Sequence, residues 1–397
     1  MVRAFAFCWR NVLGRGSGMG WDGKGMAGDG VGMACCIYLS EESLVSVILG
    51  QLSDQEENMA VRNSVAAAPA SHYSHQRETE GLERLRGVAK WSVFFFLLNT
   101  TYGSLLVSRH LPPDPRQKSW FLMRSPLPTV LLTLLYITAV TSLGPRYMQG
   151  RQPPSHLRAV MVLYNACQVL VSFYLMYEIG ASGWFWRHNY RCQTCDFSTQ
   201  PYAVKMMHVS FWYYISKLVD FMDTVFFVLN KKYKHISVLH VVHHSVMSIC
   251  MWYNTLYQPG GQTTFMAFAN ATVHALMYTY YLLAAMGPRL RPSVSWKMCL
   301  TCVQIVQFVI VLLHSIQVLF IDCEVPALVT CWLLHNSLMF LVLFVNFYRQ
   351  AYTVRSSSVT DTARQESGKS NSTTWSNVSS SANGVSRRPV LLTEHNE

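Results

Sequence analysis

From residue 127 onward the chain alternates long apolar runs with short polar or basic stretches. The runs cover about residues 127–145, 158–179, 206–229, 236–256, 263–286, 298–320 and 327–348, each near the ~20 residues an α-helix needs to cross a bilayer. An all-α membrane protein with seven transmembrane helices is therefore predicted. A shorter run, Trp91 to Val107, is broken by Asn99, Thr100 and Thr101 and reads as an interfacial segment within residues 89–113, with a marginal span as the alternative. Residues 1–88, Gly-rich from Gly14 to Gly32 and then mixed, show no sustained apolar period and are expected to be disordered. Residues 114–350 then form the helical domain, and the Ser/Thr/Asn-rich residues 351–397 a disordered tail.

The polar stretches orient the bundle. Arg146, Arg151 and Arg158, then Lys231, Lys232 and Lys234, then Arg289, Arg291 and Lys297 follow the first, third and fifth runs, while the connections after the fourth and sixth carry no Lys or Arg. Positive charge favours the cytosolic side, so the basic loops and the C-terminus face the cytosol. The loop from Ala181 to Lys205, with Arg187 and Arg191, runs against the trend.

Composition supports the membrane class: 51% hydrophobic, 13% charged, mean hydropathy +0.18. The formal charge of +11 does not indicate nucleic acid, because the cations are spread between apolar runs instead of gathered in one patch. The eleven cysteines, Cys192 and Cys195 of one Cys-x-x-Cys among them, make neither a zinc module nor a disulfide scaffold.

Ionisable groups inside the apolar runs carry the chemistry. Each costs about 2.5–3.5 kcal/mol on insertion scales unless paired or facing a polar cavity. Lys217, Asp220, Asp223 and Thr224 share one side of a helix, and His240, His243 and His244, spaced i, i+3, i+4, share a face of the next. Asn270, His274, Met277, Tyr278 and Tyr281 form a further stripe, and Thr301, Gln304 and Gln307 put amides inside the sixth run. A lone membrane histidine is more often a packing group than a catalyst, but three on one face suit acyl transfer or proton transfer by imidazole. A di-iron oxygenase would want on the order of eight histidines in several boxes, and only one box is present. A receptor or transporter with histidines along its ligand path is a further alternative.

These motifs closely resemble those of the very-long-chain fatty acid elongase (ELO) family. Its Lys-x-x-Asp/Glu-x-x-Asp-Thr pattern stands as Lys217, Asp220, Asp223 and Thr224, its His-x-x-His-His box as His240, His243 and His244, and its Asn-x-x-x-His-x-x-Met-Tyr stretch as Asn270, His274, Met277 and Tyr278. Thr301, Gln304 and Gln307, the Asp114-Pro115-Arg116 opening and Asn346-Phe347-Tyr348 also match; the resemblance covers about residues 110–350. It implies seven helices enclosing an acyl tunnel and a condensing enzyme that joins a long-chain acyl-CoA to malonyl-CoA, giving 3-oxoacyl-CoA, CO2 and CoA without a cofactor or metal. By family analogy His243 takes the acyl group, His274 polarises the thioester carbonyl, and His240 and His244 orient the nucleophile. Lys217, Asp220, Asp223, Asn270, Tyr278, Tyr281, Gln304 and Gln307 complete the substrate site, with Lys231, Lys232, Lys234, Arg289 and Arg291 at a cytosolic mouth for the CoA phosphates. Implied partners are the lipid bilayer, other elongation-cycle enzymes and a second copy of the chain, in the endoplasmic reticulum. The end of the chain, Leu392 to Glu397, lacks the lysine-based retrieval signal many members carry. Topology and family habit together predict a lumenal disulfide between Cys192 and Cys323, with Cys195 as competitor.

Overall fold

The computed structural model describes residues 70–353; the expected disorder of residues 1–69 and 354–397 lies outside the described residues. Contacts divide the chain into residues 1–349 and 350–397, and only the first unit is described below. Its long helices are α1 (Ala70–Tyr102), α2 (Leu127–Thr138), α3 (Leu157–Ile179), α4 (Pro201–Val219), α5 (Phe221–Leu229), α6 (Val238–Tyr257), α7 (Thr264–Met286), α8 (Val294–Ile316) and α9 (Ala327–Tyr348). No strand occurs among the described residues.

Each of the seven apolar runs is helical, but hydropathy alone qualifies five helices to cross a membrane: 83–110, 127–147, 157–184, 294–320 and 327–352. Four belong to the predicted seven, and the fifth is the segment expected to be interfacial. The rods that fall short, α4 with α5, α6 and α7, are those that carry the ionisable stripes. The protein is a multi-pass membrane protein, and its most polar helices are those that build the interior.

The N-terminal boundary differs from the sequence-based expectation. Residues 70–88, expected to be disordered, begin α1, which continues through a π-helical turn, Gly103–Val107, to His110. Its side chains supply what periodicity alone does not reveal. Leu85, Val88, Phe95 and Phe96 are buried, and Asn99, one of the three residues that argue for an interfacial segment, points inward: its Oδ1 accepts Trp332 Nε1 from α9 at 2.8 Å, and its Nδ2 donates to Phe95 O at 3.0 Å. A polar atom with internal partners is compatible with the membrane interior. Gly103 lets this helix pass Tyr253 of α6, where a Cβ would overlap the phenol ring.

At the centre lies α6, with Val241, Val242, Val246 and Ile249 fully buried. Ser237 caps its start by accepting His240 N–H at 3.2 Å. Buried hydroxyls pin α2 against it and against α4: Thr133 Oγ1 lies 2.9 Å from Ser248 Oγ, and Thr129 Oγ1 lies 2.6 Å from the Tyr214 hydroxyl. A short connection with Gly261 at φ +70° returns the chain as α7, so the start of α6 and the end of α7 lie at one end. The exposed Lys231, Lys232, Lys234, Arg289 and Arg291 follow α5 and α7 there.

At the opposite end Cys192 and Cys323 are joined by a disulfide. Cys195 stays a free thiol, and burial pushes its pKa up to about 12, leaving it protonated and unreactive at neutral pH. The loop after α1 closes over the last turn of α6: Asp114 N–H donates to Leu256 O at 2.8 Å, and Gln117 Nε2 to Thr255 O at 2.9 Å. Arg116 holds Asp114 through a 2.6 Å ion pair and donates to Ser198 O at 2.5 Å.

Candidate active site

Lys217 opens the site. It sits in the last turn of α4, and α5 continues almost in line after Asp220, so Lys217, Asp220, Asp223 and Thr224 stay on one side of the rod as the spacing predicts. All four are buried. Lys217 Nζ donates to Asp220 Oδ2 at 2.9 Å and to Asn270 Oδ1 of α7 at 3.2 Å, and lies 3.5 Å from His274 Nδ1. Tyr278, one turn further along α7, sets its hydroxyl 3.0 Å from Asp220 Oδ1 and 2.8 Å from Asp223 Oδ2. The phenol has one proton, so it donates to one carboxylate at a time.

Two members of this network carry no motif. Gln168, in mid-α3, donates to Asp220 Oδ1 at 2.8 Å, and the Tyr213 hydroxyl donates to Asn270 Oδ1 at 2.8 Å. An amide in the middle of an apolar run was the available signal for Gln168; Tyr213 had none beyond its place one turn before Lys217.

The three histidines of α6 face this network from the other side. His240 Nε2 lies 3.0 Å from Thr224 Oγ1, and the same hydroxyl lies 2.8 Å from the Tyr136 hydroxyl of α2. A hydrogen bond at one ring nitrogen fixes tautomer and orientation. His244, buried, packs edge-on to His240, with centroids 4.5 Å apart, and to His243 at 5.4 Å. His243 is half-buried and edge-on to Phe340 of α9 at 4.9 Å. It is the histidine of the box that opens onto a cavity.

That cavity is a narrow slot with about 60 Å³ of free space. From α6 it takes His243, Met247, Met251, Asn254 and Tyr257, one face of the helix, and from α9 Leu333, Asn336 and Phe340. Asn270 and Gln307 also line it, so the cavity meets the ionic network at Asn270. His243 to Tyr257 spans fourteen residues, or about 21 Å at ~1.5 Å per residue.

The remaining expected residues lie apart from this centre. Gln304 Nε2 is 3.6 Å from Met277 Sδ, Tyr281 packs edge-on to Tyr278 at 6.1 Å, and neither lines the cavity. Lys231 and Lys232 are exposed on the loop between α5 and α6. Arg84 was not anticipated: from α1 it donates to Lys234 O and Ile236 O of that loop, at 3.2 and 3.3 Å. No group of three or more His, Cys, Asp or Glu side chains is arranged to hold a metal ion among the described residues.

The sequence profile of the ELO, GNS1/SUR4 family matches residues 121–360. A very long chain fatty acid elongase of Aedes aegypti is 47% identical over 240 residues, 60% of this chain and 67% of that protein. Very long chain fatty acid elongase 7 of Drosophila melanogaster is 43% identical over 243 residues, 61% of this chain and 74% of that one. Very long chain fatty acid elongase 1 of Homo sapiens is 39% identical over 243 residues, 60% of this chain and 86% of its own length.

Proposed function

The chain belongs to the ELO, GNS1/SUR4 family, and from that premise we propose that it condenses a long-chain acyl-CoA with malonyl-CoA to give 3-oxoacyl-CoA, CO2 and CoA. One observation carries the reading. His243 and Asn270 line a largely apolar cavity that follows α6 for about 21 Å, and Asn270 is bonded to Lys217 of the buried ionic network. An apolar tail and a reacting thioester thus meet surroundings suited to each.

The sequence of steps follows from the imidazole. A ring nitrogen of His243 attacks the thioester carbonyl; the C–N bond forms, the C–S bond breaks, and CoA leaves as a thiolate that takes the proton lost by the ring. Malonyl-CoA then loses CO2, and the electron pair left on its methylene forms the new C–C bond with the acyl carbon. The C–N bond breaks, and the imidazole recovers its proton from the medium. No redox step occurs and no cofactor is required. His274, beside Lys217, polarises the thioester carbonyl, while His240 and His244 hold the orientation of the nucleophile. The exposed Lys231, Lys232, Arg289 and Arg291 meet the CoA phosphates. The rods α4 with α5, α6 and α7 cross the bilayer as well, their charges turned inward, and the enzyme works in the endoplasmic reticulum beside the reducing and dehydrating enzymes of the cycle, alone or as a homodimer.

Acyl-CoA alone separates a covalent route from a ternary complex. The covalent route releases CoA, up to one equivalent per enzyme, and leaves the acyl mass on the peptide holding His243. An unmodified intact mass in an enzyme that elongates labelled malonyl-CoA rules it out. His243→Ala should abolish both the burst and the product.

A further inference from the structure

The cavity changes character along its length. Next to His243 it is polar, with Asn270 and Gln307 on its wall. Its middle is mostly apolar, with Met247, Cys250 and Met251 on α6, Met266 on α7, Trp332 and Leu333 on α9, and Asn336 and Ser337 of α9 on the side towards Phe340. At the far end it turns polar again, with Asn254, Gln258 and Thr263 lining the last stretch. That end is not an open mouth. Gln258, Thr263 and Tyr257 are buried, and the loop carrying Asp114 and Gln117 is bonded across the end of α6.

The two amides there are unused. Thr263 Oγ1 is directed to the Gln258 and Gly260 carbonyls, at 3.4 Å each, whereas no side-chain hydrogen bond engages Asn254 or Gln258 among the described residues. A closed cavity built only for a hydrocarbon tail would end in apolar side chains, because an amide buried against a methyl group forfeits its hydrogen bonds. An end lined by two free amides matches a polar group arriving on the tail.

We propose that the substrates of this cavity are long-chain acyl-CoA thioesters carrying a hydroxyl at or next to the far end of the chain, recognised by Asn254 and Gln258. The proposal rests on the condensation reading above and adds the substrate class. Length agrees with it. The ~21 Å from His243 to Tyr257 corresponds to an extended chain of roughly 16–18 carbons, at ~1.25 Å advance per bond for ~1.52 Å bonds at tetrahedral angles. A primary hydroxyl at that distance can both donate to an amide oxygen and accept from an amide nitrogen.

The test uses the full chain in liposomes with labelled malonyl-CoA and two acyl donors, hexadecanoyl-CoA and its 16-hydroxy analogue. The hydroxylated donor should show kcat/KM higher on the order of tenfold, as expected where buried polar groups select a hydroxyl. The advantage should vanish in Asn254→Leu/Gln258→Leu, and also in the twelve-carbon pair, whose hydroxyl stops short of the amides. If the double variant fails to fold, Gln258→Leu alone carries the test with a partial loss of the ratio. Condensation of hexadecanoyl-CoA as efficient as that of its hydroxy analogue overturns the proposal, as does an advantage the variants leave intact. Condensation of neither donor is a different result: it removes the condensation reading, and the proposal falls with it.

Discussion

Helix α4 carries two lysines, each in an ion pair of nearly equal length, and the two pairs teach opposite lessons. Lys205, near its start, meets Glu178 of α3 at 2.7 Å with side-chain exposures of 47% and 15%. Lys217, in its last turn, meets Asp220 at 2.9 Å with exposures of 4% and 2%. Coulomb attraction at equal separation grows as the surroundings become less polarisable, but so does the cost of stripping water from both ions. The exposed pair is nearly neutral for stability. The buried pair becomes costly once either partner is lost, which is why Asn270, Gln168, Tyr278 and His274 gather round it, whereas among the described residues Lys205 has Glu178 alone as its acidic partner.

Breaking the buried pair should have the largest effect. Lys217→Met strands Asp220 without its cation and should cost about 3–5 kcal/mol, read as a lower denaturant midpoint in detergent; Lys217→Met with Asp220→Asn should recover much of it. Loss no greater than for Lys205→Ala would erase the contrast. Next, Asn270→Leu removes the acceptor shared by Lys217 and Tyr213, leaving Lys217 with Asp220 and the Tyr213 hydroxyl with only Met266 Sδ at 3.9 Å, an expected loss of about 1–3 kcal/mol. Arg84→Ala, which frees two loop carbonyls while leaving the Lys205–Glu178 and Lys217–Asp220 pairs intact, should cost about 1 kcal/mol. A deletion ending at residue 69 should therefore be milder than one ending at residue 88. The smallest effect belongs to Lys205→Ala, about 0–1 kcal/mol and shrinking as salt is added.

Helical spacing alone makes the faces of the site legible. Lys217, Asp220 and Thr224 need only ~100° per residue to fall together, and His240, His243 and His244 likewise. Pairing across helices is not legible, since nothing local says that Thr224 reaches His240 or that Tyr278 spans two carboxylates. Gln304 and Tyr281 share stripes with residues that do face the centre, yet periodicity fixes a face only to within about a quarter turn, and they fall outside the cavity wall. Residues 91–107 read as interfacial because Asn99, Thr100 and Thr101 interrupt the run. Asn99 counts as a polar interruption unless its partner is known, and that partner, Trp332, stands 233 positions away.

The disulfide has a consequence in time as well as in space. Cys192 precedes α4 and Cys323 follows α8, with 131 positions between them, so a ribosome must deliver α4 to α8 before the second sulfur reaches its partner. The bond is a closing event in the life of the chain: a newly made molecule that carries it has already threaded α4 to α8, and one that lacks it has not finished.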